Sequence, residues 1–124
     1  MYHINIEKET LKNKYFRKVL FTGKNMQLVV MSLKKGEEIG KEIHKHVDQF
    51  FRIEYGTAKF IVNKKTIIAK EDEVVIVPAG SEHNVTNFGN KELKLYTIYA
   101  PPNHPPKTVH KNKKEADEYE KNHH

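Results

Sequence analysis

Residues 36–56 read GEEIGKEIHKHVDQFFRIEYG, and they constrain the fold more than any other stretch, because two short strands here concentrate ligand-type side chains in one small volume. Side chains alternate faces along a strand, so Glu42, His44 and, if the strand runs on, His46 point one way, while Lys41, Ile43 and Lys45 point the other. A tight link at Val47 and Asp48 leads into a second strand. On it Gln49, Phe51, Ile53 and Tyr55 share a face opposite Phe50, Arg52 and Glu54, which puts Gln49 at the mouth end of an apolar interior face.

The flanking chain is punctuated in the same way. Strand signals at 16–22 and 26–33 are separated by Gly23-Lys24-Asn25, and Lys34-Lys35-Gly36 makes the next turn. After Gly56 come strands at 59–62, 66–69 and 74–77, then a turn carrying Pro78, Gly80 and Ser81, a strand with His83, Val85 and Asn87 on one face, and a last strand at 93–99. Pro101, Pro102, Pro105 and Pro106 stop the sheet, since proline cannot donate to a ladder. Short strands at near-regular spacing predict an all-β antiparallel sandwich or barrel, with no helix expected before residue 106. The first fifteen residues are read as irregular, with a short strand at Ile4 and Ile6 and a helical turn at 10–15. The charged tail, 107–124, is read either as disordered or as a short helix with Asn112 as its N-cap and Glu115 three residues on. His123-His124 is open to reading as a tag remnant.

Two of these stretches resemble the paired motifs of the cupin superfamily. Pro78, Gly80, His83 and Asn87 match the second motif, G-x5-P-x-G-x2-H-x3-N, with Asp72 in place of the leading glycine. Gly36 and Gly56 frame the first motif, G-x5-H-x-H-x3-4-E-x6-G. In that frame the resemblance implies a metal site formed by Glu42, His44, Gln49 and His83, with Glu42 standing for the first histidine and Gln49 for the glutamate. His46 is then a rim or supporting group, whereas the rival register, which pairs His44 with His46, makes it a ligand. The implied fold is a cupin double-stranded β-helix, a jelly-roll barrel centred on about 26–99 in a domain of 1–106. Small cupins usually pair, so a homodimer is expected, with the strand face carrying Phe50 a candidate to be covered.

Composition narrows the partners. The net charge is +6, but Lys outnumbers Arg twenty to two and the lysines are scattered, which suits a solvated surface better than bidentate phosphate recognition; nucleic acid is not an expected partner. Cysteine is absent, which removes disulfides and thiolate metal sites. No run approaches membrane-spanning length and no apolar leader is evident, so the expectation is a cytoplasmic protein with no membrane partner.

A carboxylate, two imidazoles and an amide oxygen form a mixed N/O set that suits divalent Mn, Fe, Ni, Co or Zn. Two functional readings follow. One is a metal-dependent enzyme of isomerase or oxygenase type acting on a small polar metabolite such as a sugar derivative, similar to the mannose-6-phosphate-isomerase-like cupins. The other is a non-enzymatic module that binds or senses a small molecule. A sugar-phosphate ligand calls for a cation inside the barrel, and Arg52 falls on the wrong face for that role. Phe51, Ile53, Tyr55, Tyr96 and Tyr99 are read as core or pocket lining. His104 and His110 are read as solvated, with a lid over the barrel mouth as the alternative.

Overall fold

The computed structural model describes residues 1–122; His123 and His124, the residues read as a tag remnant, lie outside the described residues. In chain order the elements are α1 (Ile6–Lys12), β1 (Arg17–Thr22), β2 (Gln27–Leu33), β3 (Glu42–Ile43), β4 (Asp48–Tyr55), β5 (Ala58–Val62), β6 (Lys65–Ala69), β7 (Val74–Val77), β8 (Glu82–Asn87), β9 (Leu93–Ala100), β10 (Val109–His110) and α2 (Lys113–Asn122). Their pairings are antiparallel and build two sheets, a six-stranded one ordered β10-β1-β2-β9-β4-β7 and a four-stranded one ordered β3-β8-β5-β6. This is the antiparallel barrel that the strand pattern predicts, in the jelly-roll form that the cupin resemblance implies.

The core lies between the sheets. Val29, Met31, Leu33, Phe51, Ile53 and Leu95 of the larger sheet meet Ala58, Phe60 and Val85 of the smaller, all at most 1 % exposed. Alternation on β4 and β8 follows the sequence pattern: Gln49, Phe51 and Ile53 are buried, as are His83, Val85 and Asn87. It fails at Tyr55, which is 38 % exposed. A register shift between Ile53 and Tyr55 turns that ring outward, where the Lys91 ammonium sits 4.2 Å from its centroid. Tyr96 also faces outward, stacked on Phe50 at 6.1 Å. Gly56 follows at φ +93°, with Glu92 O only 2.5 Å from where a Cβ would lie, so the close approach of these two loops requires glycine.

Two helices correct the expectation of none before residue 106 and the option of a disordered tail. In α1 the side chain of Asn5 caps the first turn by accepting from Lys8 N at 3.0 Å, Glu7 and Glu9 occupy that turn, and Lys12 closes the last. The helix packs on β2, β4 and β9, burying Val30 and Lys94 on the outer face of the sheet; Lys94 Nζ donates to Asn13 O at 2.6 Å. In α2 the Asn112 cap forms as its spacing predicts, with Oδ1 accepting from Glu115 N at 2.8 Å while Glu115 Oε1 accepts from Lys111 N. Ala116 anchors α2 in the core and β10 pairs with β1, so this part of the tail is built onto the barrel. Among the described residues no helix is long and apolar enough to cross a membrane.

Candidate metal centre

β3 is only two residues long, yet it sets the site. Glu42 is directly opposite His83 in the β3–β8 register, and the chain leaves β3 at once, carrying His44 inward. Gly80 N donates to His44 O at 2.8 Å and fixes that exit. The ligand-type atoms of Glu42, His44 and His83 lie within 4.8 Å of one another. Donors about 2.1 Å from a first-row ion stand roughly 3 to 4 Å apart, so the group needs only a small contraction to close on one.

Each donor is prepared for this. His83 is 3 % exposed and its Nδ1 lies 3.2 Å from Ser81 O. A carbonyl only accepts, so Nδ1 carries the proton and the Nε2 lone pair is left for a ligand. Burial pushes the His83 imidazole below its ordinary pKa, which keeps it in the neutral, ligating form. Burial pushes the Glu42 carboxyl up, but the hydrogen bond and charge of His44, with Arg17 and His83, outweigh it and hold the group below the usual carboxylate range. His44 Nε2 stands 3.2 Å from Glu42 Oε2, an ion-pair distance, and is buried with no other partner.

Gln49 is 3 % exposed on β4; its Nε2 donates to Thr97 Oγ1 at 3.0 Å, and its Oε1 is buried without a partner. His46 sits exposed in the turn after His44 and outside the cluster, because the strand ends at Ile43 instead of running on to 46.

The cluster opens into a cavity of about 580 Å³ between residues 39–44, the loop 103–105 and α2. His104 and His110 are 8 % and 6 % exposed, which corrects the solvated reading of both. For His110 the cause is the pairing of β10 with β1, and for His104 it is Gln27, buried on β2: its Oε1 accepts from Asn103 N at 3.1 Å and His104 N at 2.9 Å, and its Nε2 donates to His104 O at 2.7 Å, so one side chain pins the proline-rich loop under the barrel mouth. The Tyr99 hydroxyl, which burial holds above its ordinary pKa, lies 3.2 Å from His104 Nε2, and its ring meets the edge of His44 at 5.8 Å. Burial, reinforced by the charge of Arg17, pushes His104 down to about 3. Arg17 and Thr97 are site residues that the sequence reading did not assign, whereas Tyr99 was read there as core or pocket lining.

The fold is a two-sheet antiparallel jelly-roll barrel that gathers one carboxylate and two imidazoles, a set that could hold a metal ion, beside a cavity. The chain belongs to the cupin family: residues 29–99 match the family model described as a cupin domain. It is 49 % identical over 119 residues to the uncharacterized protein YrkC of Bacillus subtilis, covering 91 % of this chain and 64 % of YrkC, so it spans just under two thirds of that relative. The crystal structure of BH2720 from Bacillus halodurans superposes with a TM-score of 0.93 at 44 % identity, covering 94 % of this chain and 93 % of that one. A shorter similarity, 32 % over 76 residues, reaches 61 % of this chain but only 16 % of a mannose-1-phosphate guanylyltransferase of Salmonella montevideo.

Proposed function

We propose that this cupin holds a divalent first-row ion at Glu42, His44 and His83, with Gln49 Oε1 as a further donor, and binds a small polar metabolite against it in the cavity. One observation carries the reading: Glu42, His44 and His83 bring their ligand atoms within 4.8 Å of one another, and Gln49 Oε1 is buried with no hydrogen-bond partner. An unsatisfied buried polar atom costs about 1–3 kcal/mol, and a cation bound by Gln49 Oε1 would remove that cost. The donor set supports the same reading, since two imidazoles and one carboxylate suit Fe(II), Mn, Co, Ni or Zn.

When bound, such an ion supplies Lewis acidity, polarising an oxygen of the metabolite. The chain's own residues do the rest. His83 is oriented by Ser81, Gln49 by Thr97, and the loop 103–105 and α2 limit water access. The guanylyltransferase similarity supports a sugar derivative as ligand and isomerase-type chemistry as one use of the site. A specific observation favours the second reading, a binding module without chemistry: Tyr99 and His104, the polar groups beside the donors, both stay neutral near pH 7 and supply no ready proton carrier.

Elemental analysis of protein purified without chelator, beside a His44→Ala, His83→Ala variant, tests the proposal. Near-stoichiometric first-row metal in the wild type, lost in the variant, is expected. Wild type that holds no metal and takes none up would refute it.

A further inference from the structure

Arg17 is one of only two arginines in the chain, and it occupies an unusual position. It opens β1, is 3 % exposed, and lines the cavity together with Glu42, His44 and His104. Its Nη1 lies 3.2 Å from His110 Nδ1. A guanidinium only donates, so His110 accepts and is neutral, consistent with burial and the Arg17 charge pushing its pKa down. The guanidinium carbon stands 5.4 Å from the Phe16 ring centroid. Arg17 Nε is buried with no partner, and among the described residues no carboxylate pairs with Arg17. The neighbouring cation Lys113 is already committed, donating to Ile39 O at 2.8 Å and pairing with Asp117 at 2.9 Å.

A buried guanidinium is costly unless its donors are met, and the Glu42 charge and the His110 and Tyr99 side chains near Arg17 still leave its Nε–H without a partner. The other arginine, Arg52, shows the ordinary solution: it lies on the outer face of β4 between Asp72 at 3.0 Å and Glu54 at 3.3 Å. We propose that Arg17 is the receptor for an oxyanionic group, a carboxylate or phosphate, on the metabolite that occupies the cavity. The free Nε–H belongs to the side of the guanidinium that binds two oxygens of one oxyanion, while His110 fixes the other side and Phe16 covers a face. The ligand is then a small oxyacid or a phosphate ester, anchored at Arg17 by its charge and reaching Glu42, His44 and His83 with another oxygen. This builds on the proposed function by placing the ligand in the same cavity, but the anion contact itself does not need the ion.

The two arginines make the test direct. In the 15N-labelled full chain, Arg17 and Arg52 give the two Nε–H signals, assigned with Arg17→Lys, and both can be followed in low-chloride buffer during titration with malonate, inorganic phosphate or neutral malonamide. A saturable shift of the Arg17 signal with malonate or phosphate, none with malonamide and none at Arg52, is expected, and whichever oxyanion binds more tightly identifies the group. Arg17→Met should weaken that binding at least about tenfold. No saturable shift with either oxyanion, equal movement of both arginines, or unchanged affinity in a folded Arg17→Met protein would overturn the inference. Titrating metal-free wild type separates the two proposals: oxyanion binding without metal uptake sinks only the metal reading, and metal uptake without oxyanion binding sinks only this one.

Discussion

Acidification should destabilise this protein through His104, and the size of the effect follows from its surroundings. The ring is 8 % exposed, lies against the Tyr99 hydroxyl, and has its pKa held at about 3 by burial and by Arg17. In the unfolded chain an imidazole titrates near 6.5. Above that value neither state is protonated and His104 adds no pH dependence. Below it the unfolded chain takes up a proton that the folded chain refuses, so stability falls as pH falls, by about 1.4 kcal/mol per unit, and continues to fall until about pH 3. Between pH 6.5 and pH 5 the loss from this residue is about 2 kcal/mol. Urea unfolding at steps from neutral to moderately acid pH, for wild type and His104→Gln, measures it. Glutamine can still hydrogen-bond Tyr99 but cannot titrate, so its stability curve should be shallower by one proton. His83 and His110, also displaced downward, contribute a background common to both proteins. Parallel curves would mean that the folded protein accepts a proton on His104 at an ordinary pKa, and the argument from burial would fail.

Three further outcomes test the fold and the site. Phe60→Ala removes a ring that is 0 % exposed and packed edge-on to Phe51 at 5.1 Å, and should cost about 3–5 kcal/mol in urea unfolding with an unchanged slope. Gly56→Ala places a methyl 2.5 Å from Glu92 O at positive φ, and should lower the melting temperature more than an alanine at Gly36, whose Cβ would meet nothing within 4 Å. Gln49→Glu puts a second buried carboxylate beside Glu42, so the metal-free protein should lose stability while affinity for Mn(II), read by calorimetry, rises; a fall in both would remove Gln49 from the donor set.

The Glu42, His44 and His83 cluster was legible in part: His83 shares its strand face with Val85 and Asn87, and the β3–β8 register sets Glu42 opposite it, while His44 lies just past the end of β3. Parity misplaced Tyr55 because a register shift interrupts β4 after Ile53, and no residue type in that stretch marks it. Helix α1 was missed although its cap and charges are local, since seven residues show too little apolar periodicity to outweigh the strand-like Ile4 and Ile6. The burial of His104 depends on Gln27, 77 residues earlier, and that of Arg17 on strand β10, neither of which leaves a local signal.

This division has a functional meaning. The segment matching the cupin model, 29–99, contains all the proposed metal donors, whereas Arg17, His104, His110 and α2 fall outside it. The shared barrel therefore carries the proposed ion site, and the flanking segments, with residues 39–44, line the cavity in which the metabolite is proposed to bind. The similarity to the guanylyltransferase extends over 76 residues, while those to YrkC and BH2720 cover 91 % and 94 % of this chain. A ligand chosen by Arg17 and the α2 wall is accordingly a property to seek in proteins matching the whole chain, and a ligand screen on BH2720 is a closer guide to it than the sugar chemistry of enzymes sharing only the barrel.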